Sequence, residues 1–304
     1  MKETIRRRLK DSGAVAIGFA KAGKISKEAE EKYLKWLSDG CHGEMEYMHR
    51  HAPLRSNTDN VLPGANTVIT LAFNFYPEEW RDSALPVISC YAFGQDYHNV
   101  LRQRISPIVE VLKKEYGGNW RVCIDTAPVA ERYWAMESGI GKLGKNGCVI
   151  VEEAGSFCFL VEILTTLTIE PDKSSWEWCD DCGACEKICP GRALRGDGTM
   201  DCRRCINYLT IEKKGEFNEE EKRILENSKI SIAGCDLCLK VCPHNRGLKP
   251  TDIEEFRMLD IIRTLDVDRI LSMETEEFNK SFSKSPLLYI KHQKILRNIL
   301  QPKK

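Results

Sequence analysis

The fold of this chain is decided by two cysteine runs, Cys179-Asp-Asp-Cys182-Gly-Ala-Cys185-Glu-Lys-Ile-Cys189-Pro190 and Cys235-Asp-Leu-Cys238-Leu-Lys-Val-Cys242-Pro243. The first run has the spacing C-x2-C-x2-C-x3-C-P, which is typical of bacterial ferredoxins with two [4Fe–4S] clusters. Three thiolates on a tight loop can reach three corners of a cube. The fourth Cys starts a helix that points away, and the proline keeps the chain from folding back. The fourth thiolate therefore serves the other cluster.

The second run contains three cysteines, so its cluster needs one ligand from elsewhere. Cys205 is the best donor, and Cys202 is a competitor that spacing does not exclude. We predict that cluster one is held by Cys179, Cys182, Cys185 and Cys242, and cluster two by Cys189, Cys205, Cys235 and Cys238.

Zinc and disulfides are the alternatives to iron–sulfur clusters. Eight thiols exceed the needs of one zinc ion, and a zinc ribbon has two C-x2-C pairs without a trailing C-P. Disulfides require an oxidising compartment, which nothing in the sequence indicates. Two [4Fe–4S] clusters are therefore the favoured interpretation.

The composition indicates an ordinary globular protein. The chain has 304 residues, 42% hydrophobic and 30% charged, which allows one large or two moderate domains. It has no run of ~18 apolar residues, so we expect no membrane span and no membrane partner. The segment Met1–Lys10 resembles an amphipathic helix and not a signal peptide. We therefore expect a cytoplasmic protein with reduced cysteines.

The C-terminal segment is basic. From Phe278 to Lys304 there are seven basic residues and no acidic one: Lys280, Lys284, Lys291, Lys294, Arg297, Lys303 and Lys304. Such a segment suits a phosphate backbone. A solvated helix face is an equally good interpretation.

Hydrophobic periodicity and turn residues predict alternating helices and strands before the first cysteine run. The predicted helices are 1–12, Lys27–Asp39 and Asn99–Tyr116, and the predicted strands are Gly13–Ala20, Leu62–Asn74, Pro86–Ala92, Arg121–Asp125, Cys148–Val151 and Ser156–Leu167. Thr126–Pro128 is predicted to cap a further helix with Pro in its first turn.

Two features of the sequence before the first cysteine run are candidates for a catalytic or cofactor-binding role. Asp125 ends a strand before a helix, which is a common place for a catalytic acid, although an N-cap aspartate fits the same pattern. The segment Gly139–Gly147 is rich in glycine and carries two lysines. Its backbone N–H groups could bind phosphate or amide groups of a cofactor tail.

In combination, several segments resemble the epoxyqueuosine reductase family, cobalamin-dependent iron–sulfur enzymes of tRNA modification. They are Gly40–Met48, Leu62–Ala65, Ala92–His98, Asp125–Arg132, Gly144–Asn146, Gly155–Ser156, Arg203–Glu212 and both cysteine runs. The resemblance covers roughly residues 1–250. Longer members carry a C-terminal helical-repeat domain, most of which this chain lacks.

The resemblance implies an α/β (α+β) fold, with a nitroreductase-like cobalamin-binding domain fused to a bacterial two-[4Fe–4S] ferredoxin-like domain. The expected divisions are residues 1–172 for the cobalamin-binding catalytic domain, 173–250 for the ferredoxin-like domain and 251–304 for a short, basic helical tail. It also implies base-off cobalamin with the corrin near one cluster.

By position, the resemblance also assigns site residues. Asp125 matches the proton donor, and Cys205 matches the fourth ligand of cluster two. The expected cofactor contacts are Arg55, Cys90, Tyr91, Asp125, Lys145, Asn146, Ser156, Asn207 and Asp236. The chain departs from the common family residues at three of the compared positions, Phe157, Asn207 and His244.

The implied activity is the reduction of epoxyqueuosine to queuosine in tRNA. Removing an epoxide oxygen to leave an alkene needs two electrons and two protons. Clusters deliver electrons singly, so cobalamin would pair them. A carboxylic acid at Asp125 would protonate the departing oxygen. The electrons would come from an external low-potential donor of the flavodoxin or ferredoxin type.

Two alternatives remain at this point. The first is a related cytoplasmic cobalamin and iron–sulfur reductase acting on another substrate, such as a reductive dehalogenase relative. The second is an electron-transfer protein without catalysis. Cobalamin binding separates the second alternative from the enzymes, and the substrate separates the enzymes from each other.

Overall fold

The computed structural model describes residues 1–300. Among these residues, no helix is both long enough and apolar enough to cross a membrane. The α-helices are α1 (Lys2–Lys10), α2 (Lys27–Ser38), α3 (Glu46–Arg50), α4 (Ala52–Arg55), α5 (Tyr97–Tyr116), α6 (Glu131–Glu137), α7 (Ala184–Ile188), α8 (Ile206–Ile211), α9 (Glu219–Glu226), α10 (Leu237–Lys240), α11 (Asp260–Thr264), α12 (Val267–Ser272), α13 (Thr275–Ser281), α14 (Leu287–Ile290) and α15 (His292–Ile299).

The strands form one larger sheet and two short ribbons. They are β1 (Ala16–Lys21), β2 (Thr67–Asn74), β3 (Val87–Ile88), β4 (Trp120–Ile124), β5 (Lys142–Leu143), β6 (Val149–Ile150), β7 (Cys158–Thr165) and β8 (Ser231–Ala233). The four-stranded sheet has the order β1-β2-β7-β4, and every neighbouring pair is antiparallel.

The central strand β2 explains why the sheet is covered on both faces. All eight of its residues are buried, and its sequence TVITLAFN is a nearly continuous apolar run. A strand that is exposed on one face would instead alternate apolar and polar residues. One face packs against a core that includes Leu9 of α1 and Leu101 of α5, and the other face carries α6.

The cysteine-rich part and the C-terminal segment join the same core. Strand β8, which precedes the second cysteine run, pairs in parallel with β3. Apolar residues of the C-terminal segment, among them Phe256, Phe278 and Ile295, are buried in the cluster that also contains Leu9 and Leu101. Burial of these side chains ties residues 251–300 to the α/β part.

The predicted strand Pro86–Ala92 is wrong over its second half. Only Val87 and Ile88 are extended, and Cys90–Ala92 form a 3-10 turn. The reason is Asp236, which accepts hydrogen bonds from the Ser89 hydroxyl and, at 2.8 Å, from the Cys90 N–H. These hydrogen bonds to the Asp236 side chain replace further pairing between strands, so β3 ends at Ile88.

The predicted cap at Thr126–Pro128 is also wrong. Helix α6 begins only at Glu131, so Pro128 does not lie in its first turn. The chain leaves β4 at Asp125 with φ +46°, a left-handed conformation that few residues other than glycine adopt. Asp125 therefore lies in the turn between β4 and α6 and not in the sheet.

Candidate functional site

The first cysteine group surrounds one cavity. This small cavity is lined by Gly144–Asn146, His244 and four cysteines, Cys179, Cys182, Cys185 and Cys242. Helix α7 begins directly after Cys182 and Gly183, so the first run reaches the cavity from a tight loop, as its spacing predicts. These are the four residues that we predict for cluster one.

The glycine-rich loop lies against this cavity. The Lys145 N–H donates to Cys179 Sγ at 3.3 Å, and the Lys145 ammonium pairs with Asp181. Hydrogen bonds to sulfur and nearby positive charge stabilise the negative charge that an iron–sulfur cluster carries and tune its reduction potential. The loop therefore contacts the thiol group directly.

The second group is Cys189, Cys205, Cys235 and Cys238. Burial, followed by the charges of Cys205, Asp236 and Cys189, raises the pKa of Cys235 to about 12. The pKa of Cys238 is raised by burial first and also by Cys205, Cys235 and Cys189. Thiols that perturb each other in this way lie close together, which is the arrangement that one cluster needs.

Cys202 has different neighbours. It is buried, and its N–H donates to the Cys41 carbonyl at 2.8 Å. Its pKa is raised to about 12 by burial and then by Cys205, with Cys41 as a smaller cause. Cys189 is not among these causes, whereas it is for Cys205. Cys205 is therefore a neighbour of Cys189, and it stays the predicted fourth ligand of cluster two.

Cys148 is a further thiol that the motif did not include. Burial, with smaller contributions from Cys205, Cys242 and Cys185, raises its pKa to about 11. Cys205 belongs to the second group, whereas Cys242 and Cys185 belong to the first. Cys148 therefore lies between the two thiol groups.

Asp125 occupies the turn between β4 and α6. Its N–H donates to Glu131 Oε1 at 2.9 Å, which holds the left-handed turn from the first residue of α6. Its side chain is 53% exposed. The carboxyl group is therefore accessible to a substrate rather than consumed as a helix cap.

His98 binds the Asp125 carboxylate. Its Nε2 lies 3.0 Å from Asp125 Oδ2, and its Nδ1 lies 2.8 Å from Asp96 Oδ1. Burial opposes the charged form of His98, but the hydrogen bonds to both carboxylates outweigh it and raise the pKa of His98 to about 9. At neutral pH the imidazole is protonated and donates to both carboxylates.

Sequence reasoning missed His98 and Glu131 as site residues. Both belong to segments that carry the family resemblance, Ala92–His98 and Asp125–Arg132. The only further signal was the pattern Asp96-x-His98 at the start of α5, where Asp96 also accepts the His98 N–H at 3.0 Å. That pattern points to Asp125 only when the packing of α5 against β4 is known.

Two of the predicted cofactor contacts lie near Asp125. Arg55 donates to the Val129 carbonyl at 2.9 Å, and its charge lowers the pKa of Glu131 against the larger effect of burial. Tyr91 packs against Tyr97 with ring centroids 6.2 Å apart. Burial, then the charges of Asp236 and Asp125, raise the pKa of Tyr91.

Three other predicted contacts meet beside the second thiol group. Asp236 binds the Cys90 N–H, and Asn207 Oδ1 lies in the tight space around Gly234. Burial raises the pKa of Asp236, although its hydrogen bonds from Ser89 and Cys90 oppose this rise. Cys90, Asn207 and Asp236 thus connect the second cysteine run with the α/β part.

The remaining predicted contacts lie near the first thiol group. Asn146 is buried, and its Oδ1 accepts the Cys148 N–H at 3.1 Å. The Ser156 N–H donates to Asn245 Oδ1 at 2.7 Å. The Ser156 hydroxyl is buried and has no partner among the described residues.

Part of the basic segment is engaged within the protein. Arg297 donates to the carbonyls of Leu209, Lys213 and Gly215 at 2.7–2.9 Å and covers the Phe217 ring. Lys294 binds the Ile211 carbonyl. These two basic side chains stabilise α8 and the loop that follows it. Lys303 and Lys304 lie outside the described residues.

Two family models match the chain. "Epoxyqueuosine reductase QueG, DUF1730" matches residues 55–126, and "4Fe-4S double cluster binding domain" matches residues 178–245. The chain is similar to the epoxyqueuosine reductase of Cyclobacterium marinum, with 36% identity over 288 residues, 93% of this chain and 90% of the relative.

Two solved structures have a similar fold. The epoxyqueuosine reductase from Streptococcus thermophilus gives a TM-score of 0.84 at 27% identity, over 98% of this chain and 80% of that chain. An epoxyqueuosine reductase solved with an epoxyqueuosine-modified tRNA stem loop gives 0.86 at 26% identity, over 98% and 79%. These similarities confirm the predicted α/β fold with a two-cluster ferredoxin-like module.

Proposed function

Because the chain belongs to the epoxyqueuosine reductase family, we propose that it reduces the epoxide of epoxyqueuosine in tRNA to the alkene of queuosine. The observation that carries this proposal is the exposed Asp125 carboxylate, which receives a hydrogen bond from His98 and lies in the same fold as two groups of four thiols. An acid, a proton source and two electron-carrying clusters are the parts that this reduction requires.

Each thiol group would hold one [4Fe–4S] cluster, with the ligands predicted from the cysteine spacing. Base-off cobalamin is the third cofactor, and when bound it supplies a cobalt centre that pairs the two electrons. The chain offers buried polar atoms without partners among the described residues, Arg55 Nε and Ser156 Oγ, which suit the amide groups around a corrin.

The residues that would hold cobalamin are therefore Arg55 and Tyr91 near Asp125, Cys90, Asn207 and Asp236 beside the second thiol group, and Lys145, Asn146 and Ser156 beside the first. In this arrangement residues 1–172 bind cobalamin and substrate, residues 173–250 carry the clusters, and the described residues 251–300 form the helical tail. The tail supports the cluster-bearing part through Arg297.

The protein's own acid chemistry follows from the Asp125 turn. Asp125 lies at the exposed end of β4, so it can reach the epoxide oxygen of a substrate that rests on this face. His98 keeps a proton on the shared hydrogen bond at neutral pH because its pKa is about 9. As negative charge develops on the departing oxygen, the proton moves to it through Asp125.

The remaining partners follow from the substrate and the electron count. A tRNA substrate places the reaction in the cytoplasm. The two electrons come one at a time from a small low-potential protein of the flavodoxin or ferredoxin type, and no membrane partner is needed.

The decisive experiment is an anaerobic conversion assay. The protein is reconstituted with iron, sulfide and cobalamin, reduced, and mixed with tRNA that carries epoxyqueuosine. Mass spectrometry of the nucleosides is expected to show the loss of one oxygen atom. Protein reconstituted without cobalamin is the control and should leave the epoxide intact. Cobalamin uptake without conversion would instead indicate a related reductase with another substrate, and no uptake would contradict the enzyme.

A further inference from the structure

Glu131 connects the catalytic turn with the interior of the protein. Its Oε1 accepts the Asp125 N–H at 2.9 Å. Burial and then the charge of Asp125 raise the pKa of Glu131 to about 7, although Arg55 and Arg132 lower it. Glu131 therefore holds Asp125 in position, and its own burial favours the protonated form of its carboxyl group.

Glu162 lies beneath α6 in the middle of the sheet. It is opposite Thr70 on β2 and Cys123 on β4, and Thr70 is opposite Gly18 on β1. A side chain at Gly18 would collide with the Ser138 carbonyl at the end of α6, so this row faces α6. Glu162 thus lies on the face of the sheet that α6 covers, and Glu131 is the first residue of that helix.

The Glu162 carboxyl group is fully buried and has no hydrogen-bond partner for either oxygen among the described residues. An ionised carboxylate in such a place would be very costly, and in practice the group stays neutral. Burial and then the charge of Glu131 raise the pKa of Glu162 well above its usual value. Glu162 is therefore a carboxylic acid that carries a proton.

Few other charges face this pair. The titratable and charged groups that act on Glu131, on Glu162 or on both are Arg55 from α4, Tyr97 from α5, Cys123 and Asp125 from β4 and its turn, and Arg132 from α6. Arg121 acts on the pair's neighbour Cys123. Among the described residues no basic group acts on Glu162 and none hydrogen-bonds its carboxyl, so a negative charge there would be uncompensated.

We propose that Glu131 and Glu162 form an internal proton store behind Asp125 that supplies the second proton of the reaction. This inference rests on the proposed function, because epoxide removal consumes two electrons and two protons. His98 and Asp125 hold the first proton at the substrate. A bound tRNA would cover the exposed Asp125 carboxylate, so the second proton must reach it from the protein side.

The proton balance is complete. Two electrons arrive from the clusters, both C–O bonds of the epoxide break, and the oxygen leaves as water after it accepts two protons. The first proton comes from the His98–Asp125 pair. The second leaves the Glu131 carboxyl, passes to the Asp125 carboxylate and then to the oxygen. Glu162 keeps Glu131 in a neutral environment, and the store refills from water after product release.

Infrared spectroscopy tests the store without any cofactor or substrate. Protonated carboxylic acids absorb apart from carboxylates, and surface carboxyl groups are ionised above about pH 6. The wild-type protein is expected to show this absorption at about pH 8, and Glu162→Gln is expected to lose the part that Glu162 adds to any absorption of the buried Asp236 carboxyl. An unchanged absorption in Glu162→Gln would overturn the proposal. At about pH 6 the wild type gains a second contribution, which Glu131→Gln lacks. Absence of the signal in the wild type overturns the proposal.

The single-turnover rate as a function of pH tests the role of the store. Gln at position 131 can still accept the Asp125 N–H, so Glu131→Gln keeps the turn but cannot give a proton. Its rate is expected to fall about tenfold to a hundredfold. The wild-type inflection near the Glu131 pKa of about 7 should disappear. A variant with the wild-type rate and pH profile would show that Glu131 only positions the turn.

Glu137→Gln is the matched control, because Glu137 lies on the same helix and receives the Trp176 indole N–H instead. It should retain the wild-type rate, pH profile and infrared spectrum. If Glu131→Gln does not fold, Glu131→Asp retains a carboxyl group and is expected to be slower with its inflection preserved. Failure of the wild type to convert epoxyqueuosine would refute the proposed function, while the infrared result still decides whether the store exists.

Discussion

The thiol groups and the acid site are built in opposite ways. The thiols lie on two short runs and on Cys205, and burial, followed by their mutual charges, raises the pKa of Cys235 and Cys238. The acid site gathers Asp96, His98 and Asp125 from α5 and the end of β4, and its hydrogen bonds are complete without a ligand. One region is therefore arranged for a cofactor that completes it, whereas the other is preorganised by the fold.

This difference predicts how each region responds to the loss of one residue. A thiolate that is missing from a cluster removes a ligand that nothing else replaces. A residue missing from the acid site leaves the surrounding hydrogen bonds and the sheet in place. Substitutions among the thiols should change cofactor content, and substitutions in the acid site should change rate at constant cofactor content.

The largest effect is expected for Cys205→Ser. A serine hydroxyl is a poor ligand for iron, so the protein should lose cluster two and about half of its iron after reconstitution. Cys202→Ser is the matched control three residues away, and it should keep the full iron content because Cys202 contacts Cys41 instead. Iron analysis and electron paramagnetic resonance measure both. The reverse result would assign Cys202 as the ligand.

Asp125→Asn should give the next largest effect. Asparagine keeps the size of the side chain but cannot donate a proton as a carboxylic acid does, so the single-turnover rate should fall about 100-fold to 10,000-fold. Iron content and cobalamin uptake should equal those of the wild type. An unchanged rate would remove Asp125 from the proposed mechanism, and lost iron would remove the distinction between the two regions.

The same difference explains what the sequence could predict. The eight thiols are recognisable because ligand spacing within a run is a property of a short segment, and the cavity lined by Cys179, Cys182, Cys185 and Cys242 agrees with that spacing. The choice between Cys202 and Cys205 was open, because both fit the spacing. The observation that bears on this choice is the contact of Cys202 with Cys41, which is distant in sequence.

The acid site was only partly predictable. Asp125 was recognisable at the end of a strand, but its left-handed turn depends on the hydrogen bond to Glu131. His98 meets it only because α5 packs against β4. Glu162 looks like an ordinary outward-facing residue of an alternating strand. Only the position of α6 shows that it is buried.

A smaller effect is expected for His98→Gln, and it should depend on pH. The pKa of His98 is raised from 6.5 to about 9 by the two carboxylates, against burial. Its charged form therefore stabilises the fold below about pH 6.5, and this contribution is lost as the pH rises through about 9. The variant should lose about 2–3 kcal/mol of unfolding free energy at about pH 6 and little above about pH 9.5.

Thermal or denaturant unfolding of both proteins at these two pH values measures the effect on stability. The single-turnover rate of the variant should also fall about tenfold at neutral pH, because the first proton is no longer held beside Asp125. A deficit of equal size at both pH values would show that His98 contributes packing rather than a charged hydrogen bond.

The smallest effect is expected for Arg297→Met. Arg297 joins the tail to the cysteine-rich part. Methionine keeps the packing over Phe217 but removes the donors to the carbonyls of Leu209, Lys213 and Gly215. Leaving such carbonyls without partners should lower the unfolding free energy by about 1–3 kcal/mol. Lys280→Met, at an exposed position of the same tail, is the control and should change stability little.

Arg297→Met also tests whether the cysteine-rich region and the acid site respond separately. Helix α8 begins directly after Cys205, so a looser α8 should slow cluster reconstitution while the His98–Asp125 pair keeps its pH dependence. If the basic tail acted only on tRNA, Arg297→Met would instead weaken tRNA binding and leave stability unchanged. Because the Arg297 guanidinium already donates hydrogen bonds to three backbone carbonyls, we expect Arg297→Met to lower stability.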